Sequence, residues 1–354
     1  MQDKFAGVHW MLSTPFNESE QVDYESLARL IVKAREFGCV GVVVLGVTGE
    51  VAKLTDSERY KIVEFVVQKA AGLSVVVGTT GSGTAVAVAR SQEADQLGAH
   101  ALMIAPPPIA KPNPTAVIHY YSSIVAATSL PLVIQDYPAV SGVHMTVELM
   151  KHSLNNGIDR FLLMPPAYYK YGDDGAYSFY ENVVQEVPES KIVLYNFEKL
   201  SGYAFSVKLI EKLVKNFPKQ IVGVKDSTYN LYQILKIPNF SILLGSETKL
   251  LKGLELGCDG IISAISNVTS SLARRVYDDF QNKKKQSFNE KLCAVRKAFD
   301  NYNLISGLHS FMSVENKKFK RILPPLSLLS NAQQKELMLK LKDLKFFPEK
   351  NIAA

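Results

Sequence analysis

Short apolar runs of strand length alternate with amphipathic stretches of helical period along most of this chain. The runs are GVHWMLSTPF (7–16), CVGVVVLGVTGE (39–50), LSVVVGTTGSGT (73–84), HALMIAPPP (100–108), LPLVIQDYP (130–138), DRFLLMPPAYY (159–169), KIVLYNFEK (191–199), IVGVKDST (221–228), FSILLGSE (240–247) and CDGIISAISN (258–267). Between them lie helical patterns such as DYESLARLIVKAREFG (23–38), with Asp23 as its expected cap and Gly38 as its stop, and DSERYKIVEFVVQKAAG (56–72). Strands that read as continuous Val, Ile and Leu runs are buried on both faces, which is the habit of a parallel sheet covered by helices. The pattern predicts an α/β protein, most economically a (β/α) barrel over residues 1–268. After the last run the chain is helical, through SSLARRVYDDFQ, NEKLCAVRKAFDNY and AQQKELMLKLKDL, so 269–354 is expected to form a C-terminal helical region.

Composition narrows the class without changing it. With 47% hydrophobic and 21% charged residues the chain can build a large core. Its net charge of +6 is densest at Lys283–Lys285 and Lys317–Arg321. No aromatic-interleaved stripe accompanies those runs, so they are expected on solvated faces and no nucleic-acid partner is expected. Cys39, Cys258 and Cys293 are too few and too scattered for a disulfide framework or a zinc site and are expected as small core fillers. The six histidines lack short ligand spacings, so no metal is expected. The longest apolar run, Val40–Val47, falls short of the ~20 residues of a membrane span, and a cytoplasmic location with no membrane partner is the expectation.

In a parallel barrel, chemistry gathers at the C-terminal ends of the strands. Four ends bring small or polar groups out of an apolar run: Gly46-Val47-Thr48-Gly49-Glu50, Tyr195-Asn196, Lys225-Asp226-Ser227-Thr228 and Gly245-Ser246-Glu247. Lys225 closes a run, IVGV, that is expected to be buried. A lysine there loses hydration, its pKa falls, and the neutral amine can attack a carbonyl; the competing reading is a lysine paired with Asp226 or another rim carboxylate. The glycines around Thr48 allow backbone N–H groups to converge on a carboxylate or phosphate, or they serve a plain turn. GTTGSGT (78–84) has neither Walker nor dinucleotide spacing.

Taken together, GVTGEVAKLTDSER (46–59), VLYN (193–196), VGVKDST (222–228), LLGSE (243–247) and GCDGIISAISNV (257–268) resemble the dihydrodipicolinate synthase / N-acetylneuraminate lyase family of class I, pyruvate-type aldolases. STPF (13–16) and RILPPLSLLSNAQQKELMLKLKDL (321–344) fit the same resemblance, which therefore runs over nearly the whole chain. It implies that Lys225 forms an imine with pyruvate or another 2-oxo acid and that Tyr195 shuttles protons over it. It further implies that Thr48, with its neighbours Val47 and Gly49, holds the carboxylate, with Ser246 also on the substrate side. Tyr168 or Tyr169 matches a tyrosine that reaches a neighbouring subunit in the family. No cofactor is implied; an aldehyde partner and a homo-oligomer are. Two departures bear on substrate: Val47 stands where the synthases have a proton-relaying hydroxyl, and Leu200 stands where they have an arginine for a dicarboxylic substrate, with Glu198 at the motif's usual proline. Lysine biosynthesis is therefore not the expected role, and another 2-oxo acid substrate is.

Ten strand-like runs exceed the eight of such a barrel, and 179 residues separate Gly46 from Lys225, about two βα units too many. The surplus has a pattern. HALMIAPPP pairs with RFLLMPPAYY as two versions of strand four, and VIQDYPAVSG (133–142) pairs with LYNFEKLSG (194–202) as two versions of strand five. The duplicated units span 100–142 and 159–202, and only the second copy carries the phenols, since Gln135 aligns with Tyr195. The chain reads as a hybrid of two family members with a seam near 151–157; a direct tandem duplication is the rival, which the divergence of the copies disfavours. Strand number, tilt and shear are linked, so either ten strands close a wider barrel or, as a core of native width favours, eight close it with one βα pair displaced. An active Schiff-base aldolase, a folded but inactive hybrid, and a phosphate-binding barrel using 78–84 are the three functional readings that follow.

Overall fold

The computed structural model describes residues 7–105, 114–135, 145–155, 159–166, 170–226, 241–255 and 260–346. The chain divides into two compact units, one formed by Met1–Val77, Ser246–Leu254 and Gly260–Ala354, the other by Gly78–Gly245 and Glu255–Asp259. All ten apolar runs contain a strand.

The first unit holds β1 (Gly7–Met11), β2 (Gly41–Val44), β3 (Ser74–Gly78) and β10 (Gly260–Ser263) as a parallel sheet in the order β3-β2-β1-β10. Every residue of β2 is buried, as a GVVV run covered on both faces requires. At the β1–β10 rung Gly7↔Gly260 the backbones approach so closely that a Cβ on Gly260 would lie 2.0 Å from the Gly7 carbonyl oxygen, which leaves glycine as the residue that fits. Helices α1 (Tyr24–Glu36) and α2 (Asp56–Lys69) pack together in this unit. A capping box starts α2: Thr55 Oγ1 accepts from the Glu58 amide, and the Glu58 carboxylate accepts from the Thr55 amide at 2.9 Å. Asp23 stands at the N-cap of α1 but leaves its amides alone, accepting instead from Ser26 Oγ at 2.7 Å and pairing with Lys318 at 3.2 Å. Gly38, at φ +69, ends that helix as expected.

The second unit contains β4 (Ala101–Ile104), β5 (Leu132–Gln135), β6 (Arg160–Leu163), β7 (Lys191–Asn196), β8 (Ile221–Asp226) and β9 (Ser241–Leu244), each pairing in parallel with the next. The expected displacement of one βα pair does not occur: β4 and β5 lie in the same sheet as β6 and β7, joined by the rungs Ile134↔Phe161 and Gln135↔Leu162. A parallel strand of this composition is buried on both faces, so keeping all six in one sheet covers apolar surface that an expelled pair would expose. β4, α4 (Pro114–Val125), β5 and α5 (Val147–Asn155) are followed by β6, α6 (Asp173–Glu186), β7, the single turn α7 (Glu198–Ser201) and α8 (Val207–Asn216). Helix α3 (Thr84–Gln96) also belongs to this unit.

Helix α9 (Leu250–Glu255) lies between β9 and β10, and after β10 the chain is helical as expected, with α10 (Ser266–Gln281), α11 (Asn289–Phe299), α12 (Leu304–Met312) and α13 (Asn331–Asp343). Lys283–Lys285 are exposed; in the second basic run Lys318 is tied to Asp23 and Glu25 while Phe319 is buried. Cys39 is buried, with its thiol pushed up to about 11 by desolvation, whereas Cys293 is only partly covered. Among the described residues no helix is long and apolar enough to cross a membrane.

Candidate active site

Strands β7 and β8 bring the proposed nucleophile and the proposed proton carrier together. Their register pairs Tyr195 with Lys225 and Asn196 with Asp226, so alternation sends the first pair to one face of the sheet and the second to the other. The Lys225 ammonium nitrogen lies 4.4 Å from the centre of the Tyr195 ring. Burial pulls the Lys225 pKa down from 10.5 to about 8, desolvation being the cause. Among the described residues no carboxylate lies within ion-pair distance of Lys225. The alternative pairing with Asp226 is excluded by the same alternation: Asp226 is fully buried and its carboxylate accepts from Asn196 Nδ2 at 2.8 Å. Asn196 is itself fixed, its carbonyl accepting from the Phe205 amide at 3.2 Å. This Asn–Asp rung, which the sequence reading noted only as part of two strand ends, holds β7 and β8 in the register that sets Tyr195 against Lys225.

The loop after β7 is also tied down. Gly202 takes the left-handed conformation at φ +70 that ends α7, and Ser201 Oγ donates to the Tyr203 carbonyl at 2.8 Å. Tyr203 stacks on Tyr171 at 5.1 Å and donates to Asp173 at 2.7 Å. Burial and that carboxylate push the Tyr203 phenol far above its ordinary range, so it stays a donor. Tyr168 and Tyr169 lie outside the described residues, as do Pro106–Pro108, Asp136–Pro138, Ser227–Thr228, Cys258 and the part of the expected seam at 156–157.

In the other unit, Val47–Gly49 forms a single 3₁₀ turn in which the amides of Gly49 and Glu50 bond back to Gly46 and Val47. Thr48 and Gly49 are buried, and Val47 is 73% exposed. The turn is supported from β1: the Asn267 side chain accepts from Trp10 Nε1 at 2.9 Å and the Ser13 amide at 3.0 Å and donates to the Met11 and Ala264 carbonyls, both at 2.7 Å. Next along that segment, Thr14 Oγ1 donates to the Gly49 carbonyl at 2.7 Å. Asn267 therefore locks the exit of β1, and Thr14 passes that position to the turn. Ser246 is buried and shares a 3.2 Å hydroxyl contact with Thr248. The reading by strand ends missed Ser13 and Ser263, whose buried hydroxyls have no hydrogen-bond partner among the described residues.

The glycine-rich segment 78–84 is occupied by its own chain. The Gly81 amide donates to Tyr120 Oη at 3.2 Å, Arg90 donates to the Thr80 carbonyl at 2.6 Å, and the Thr80 hydroxyl accepts from the Ala105 amide at 2.9 Å. These groups are committed to holding the β3 exit, which removes support from a phosphate cradle there.

Comparison with known proteins gives a consistent picture. The model of the dihydrodipicolinate synthetase family matches the chain in two stretches, residues 4–152 and 146–344. The 4-hydroxy-tetrahydrodipicolinate synthase of Oceanobacillus iheyensis is 26% identical over 282 residues, covering 78% of this chain and 75% of that protein. The crystal structure of dihydrodipicolinate synthase from Thermotoga maritima matches with a TM-score of 0.64 at 21% identity, over 98% of this chain and 100% of that one. A prophage protein of the dihydrodipicolinic acid synthase family from E. coli K12, solved in complex with pyruvate, matches with a TM-score of 0.58 at 20% identity, over 97% and 99%. At that identity the structures establish a common fold.

Proposed function

Because the chain belongs to the dihydrodipicolinate synthetase family, we propose that it is a cofactor-free Schiff-base aldolase in which Lys225 is the nucleophile and Tyr195 the proton shuttle. The observation that carries the reading is the desolvated Lys225 amine against the Tyr195 ring, with no carboxylate partner among the described residues. A neutral Lys225 amine adds to C2 of pyruvate, and the carbinolamine loses its oxygen as water to leave a protonated imine. Loss of a C3 proton gives an enamine, C3 attacks an aldehyde carbon, and the new alkoxide takes up a proton. Water then hydrolyses the imine and frees the amine. The protons of these steps are assigned to Tyr195, whose ring lies against the amine, as general acid–base chemistry needs.

The resemblance assigns the substrate carboxylate to the Thr48 turn, with Val47, Gly49 and Ser246 beside it; a Thr48→Val variant that raises the pyruvate requirement without lowering the maximal rate supports that role. Val47 offers no hydroxyl for a relay, and Leu200 offers no cation for a second carboxylate, so the partner aldehyde is assigned to a class without one. Tyr168 and Tyr169 are retained as subunit-contact residues of a homo-oligomer. The doubled family match supports the reading of the chain as a hybrid of two family members. An inactive hybrid is disfavoured because β7 and β8 keep the amine and phenol together despite the extra units.

The test follows the methyl signal of pyruvate in heavy water by proton NMR, with no aldehyde added. Exchange of the C3 protons requires both the imine and the proton carrier. Enzyme-dependent exchange that is lost in Lys225→Ala supports the assignment; the absence of exchange by folded protein refutes it.

A further inference from the structure

The Thr48 turn is flanked by two non-glycine residues in the left-handed region, Leu45 at φ 58 and Glu50 at φ 56. Each such residue costs roughly 1–2 kcal/mol and persists only where its surroundings hold it. What holds Glu50 is a sealed polar cluster within one unit. Its carboxylate is fully buried, and Oε2 accepts from Lys53 Nζ at 2.6 Å. The same ammonium donates to the Leu323 carbonyl at 2.5 Å. Oε1 faces His309 Nε2 of α12 across 3.6 Å, and neither atom has a hydrogen-bond partner among the described residues.

The hydrogen-bonding chemistry of this pair is constrained. His309 Nδ1 lies 3.1 Å from the Arg321 carbonyl oxygen, which can only accept, so Nδ1 carries a hydrogen. In the neutral ring Nε2 is then a lone pair aimed at a carboxylate oxygen, another acceptor. Two acceptors that face each other at a fully buried contact are repulsive, and one proton between them converts the contact into a hydrogen bond.

We propose that Glu50 and His309 hold a single proton between Oε1 and Nε2, and that this tie to α12 makes Glu50 the positioning residue of the Thr48 turn. Burial raises the Glu50 pKa and lowers that of His309 to about 4, so the proton resides on the carboxyl and the ring stays neutral. Lys53, whose charge acts on both partners, opposes protonation of Glu50. Phe319 covers the ring edge-on at 5.7 Å, and the backbones of Arg321 and Phe319 both act on the ring, opposing the fall of its pKa. The pair therefore loses its proton as the pH rises, and the turn loosens in that direction. The positioning role rests on the function proposed for Thr48, whereas the shared proton does not.

The test compares Glu50→Gln with Glu50→Ala. A glutamine amide donates to His309 Nε2 permanently and still accepts from Lys53, so it replaces the proton. Three readouts follow: the His309 tautomer from long-range ¹H–¹⁵N spectra, amide hydrogen exchange over residues 46–53, and the pyruvate concentration giving half-maximal borohydride adduct at Lys225. Wild type is expected to show an Nδ1–H ring with Nε2 hydrogen-bonded. Glu50→Ala is expected to speed exchange in the turn and raise the half-saturating pyruvate about 10-fold. Glu50→Gln is expected to restore both and to remove the rise in half-saturating pyruvate with pH that wild type shows. An alanine variant with unchanged exchange, or a glutamine variant no better than alanine, overturns the proposal. If wild type forms no adduct, the proposed function fails, and the tautomer and exchange readouts alone decide on the shared proton.

Discussion

Replacing Lys225 by methionine separates a catalytic lysine from a structural one, because the two make opposite predictions for stability. The folded protein lowers the Lys225 pKa from 10.5 to about 8. At about 1.36 kcal/mol per pKa unit, holding the charged amine in this site costs on the order of 3 kcal/mol. The pH range follows from proton counts. Below pH 8 both folded and unfolded chains hold the proton and the cost is complete. Between pH 8 and 10.5 the unfolded chain holds more protons than the folded one, so wild-type stability rises with pH and the cost disappears. Lys225→Met removes the charge while keeping a long, flexible apolar stem. The variant should be more stable than wild type by up to about 3 kcal/mol at pH 7, and the gap should close toward pH 10. Urea unfolding of both proteins at pH 7 and pH 10, followed by the fluorescence of Trp10, the single tryptophan, measures it. A lysine engaged in an ion pair would instead make the variant less stable at pH 7. That outcome, or a gap that does not change with pH, would refute the desolvated amine.

Other expectations are independent of that one. Tyr195→Phe should leave adduct formation at Lys225 intact while lowering pyruvate C3 exchange by roughly 10²-fold or more; equal loss of both would assign Tyr195 to binding. Asn196→Leu removes a donor from buried Asp226 and should cost about 1–3 kcal/mol, read as a lower urea midpoint; an unchanged midpoint would remove the rung from the account. Asn267→Leu strands two donors and two carbonyls around β1 and should destabilise by on the order of 3 kcal/mol, with a shift in Trp10 emission, which must be absent if that network is dispensable.

The alternation of apolar runs and helical patterns was enough to locate all ten strands, because a strand buried on both faces must be apolar throughout. Lys225 stood out as a candidate for the same reason, as a cation ending such a run, and Tyr195 through the resemblance. What the pattern could not convey was how the surplus strands are accommodated. Spacing predicts two extra βα units, but edge exposure and sheet continuity are properties of the pairing, and β5 joins β6 through rungs that no local signal encodes. Asp23 shows a similar limit, since a residue at a helix N-cap is a competent cap, yet Ser26 and Lys318, the latter 295 positions away, claim its carboxylate. Glu50 and His309 were invisible as a pair, because their meeting depends on α12 packing against the turn. A glutamate after Thr-Gly is locally unremarkable, and only its complete burial opposite an acceptor nitrogen marks it.

The central claim, that this chain forms an imine at Lys225, is met most directly by reducing the purified protein with borohydride in the presence of pyruvate and mapping the adduct by intact mass and peptide analysis. The account predicts one pyruvate-sized adduct per chain on Lys225, forming faster as the pH rises toward 8 and absent from Lys225→Ala. Folded protein that forms no adduct, or an adduct mapped to another lysine, would contradict it.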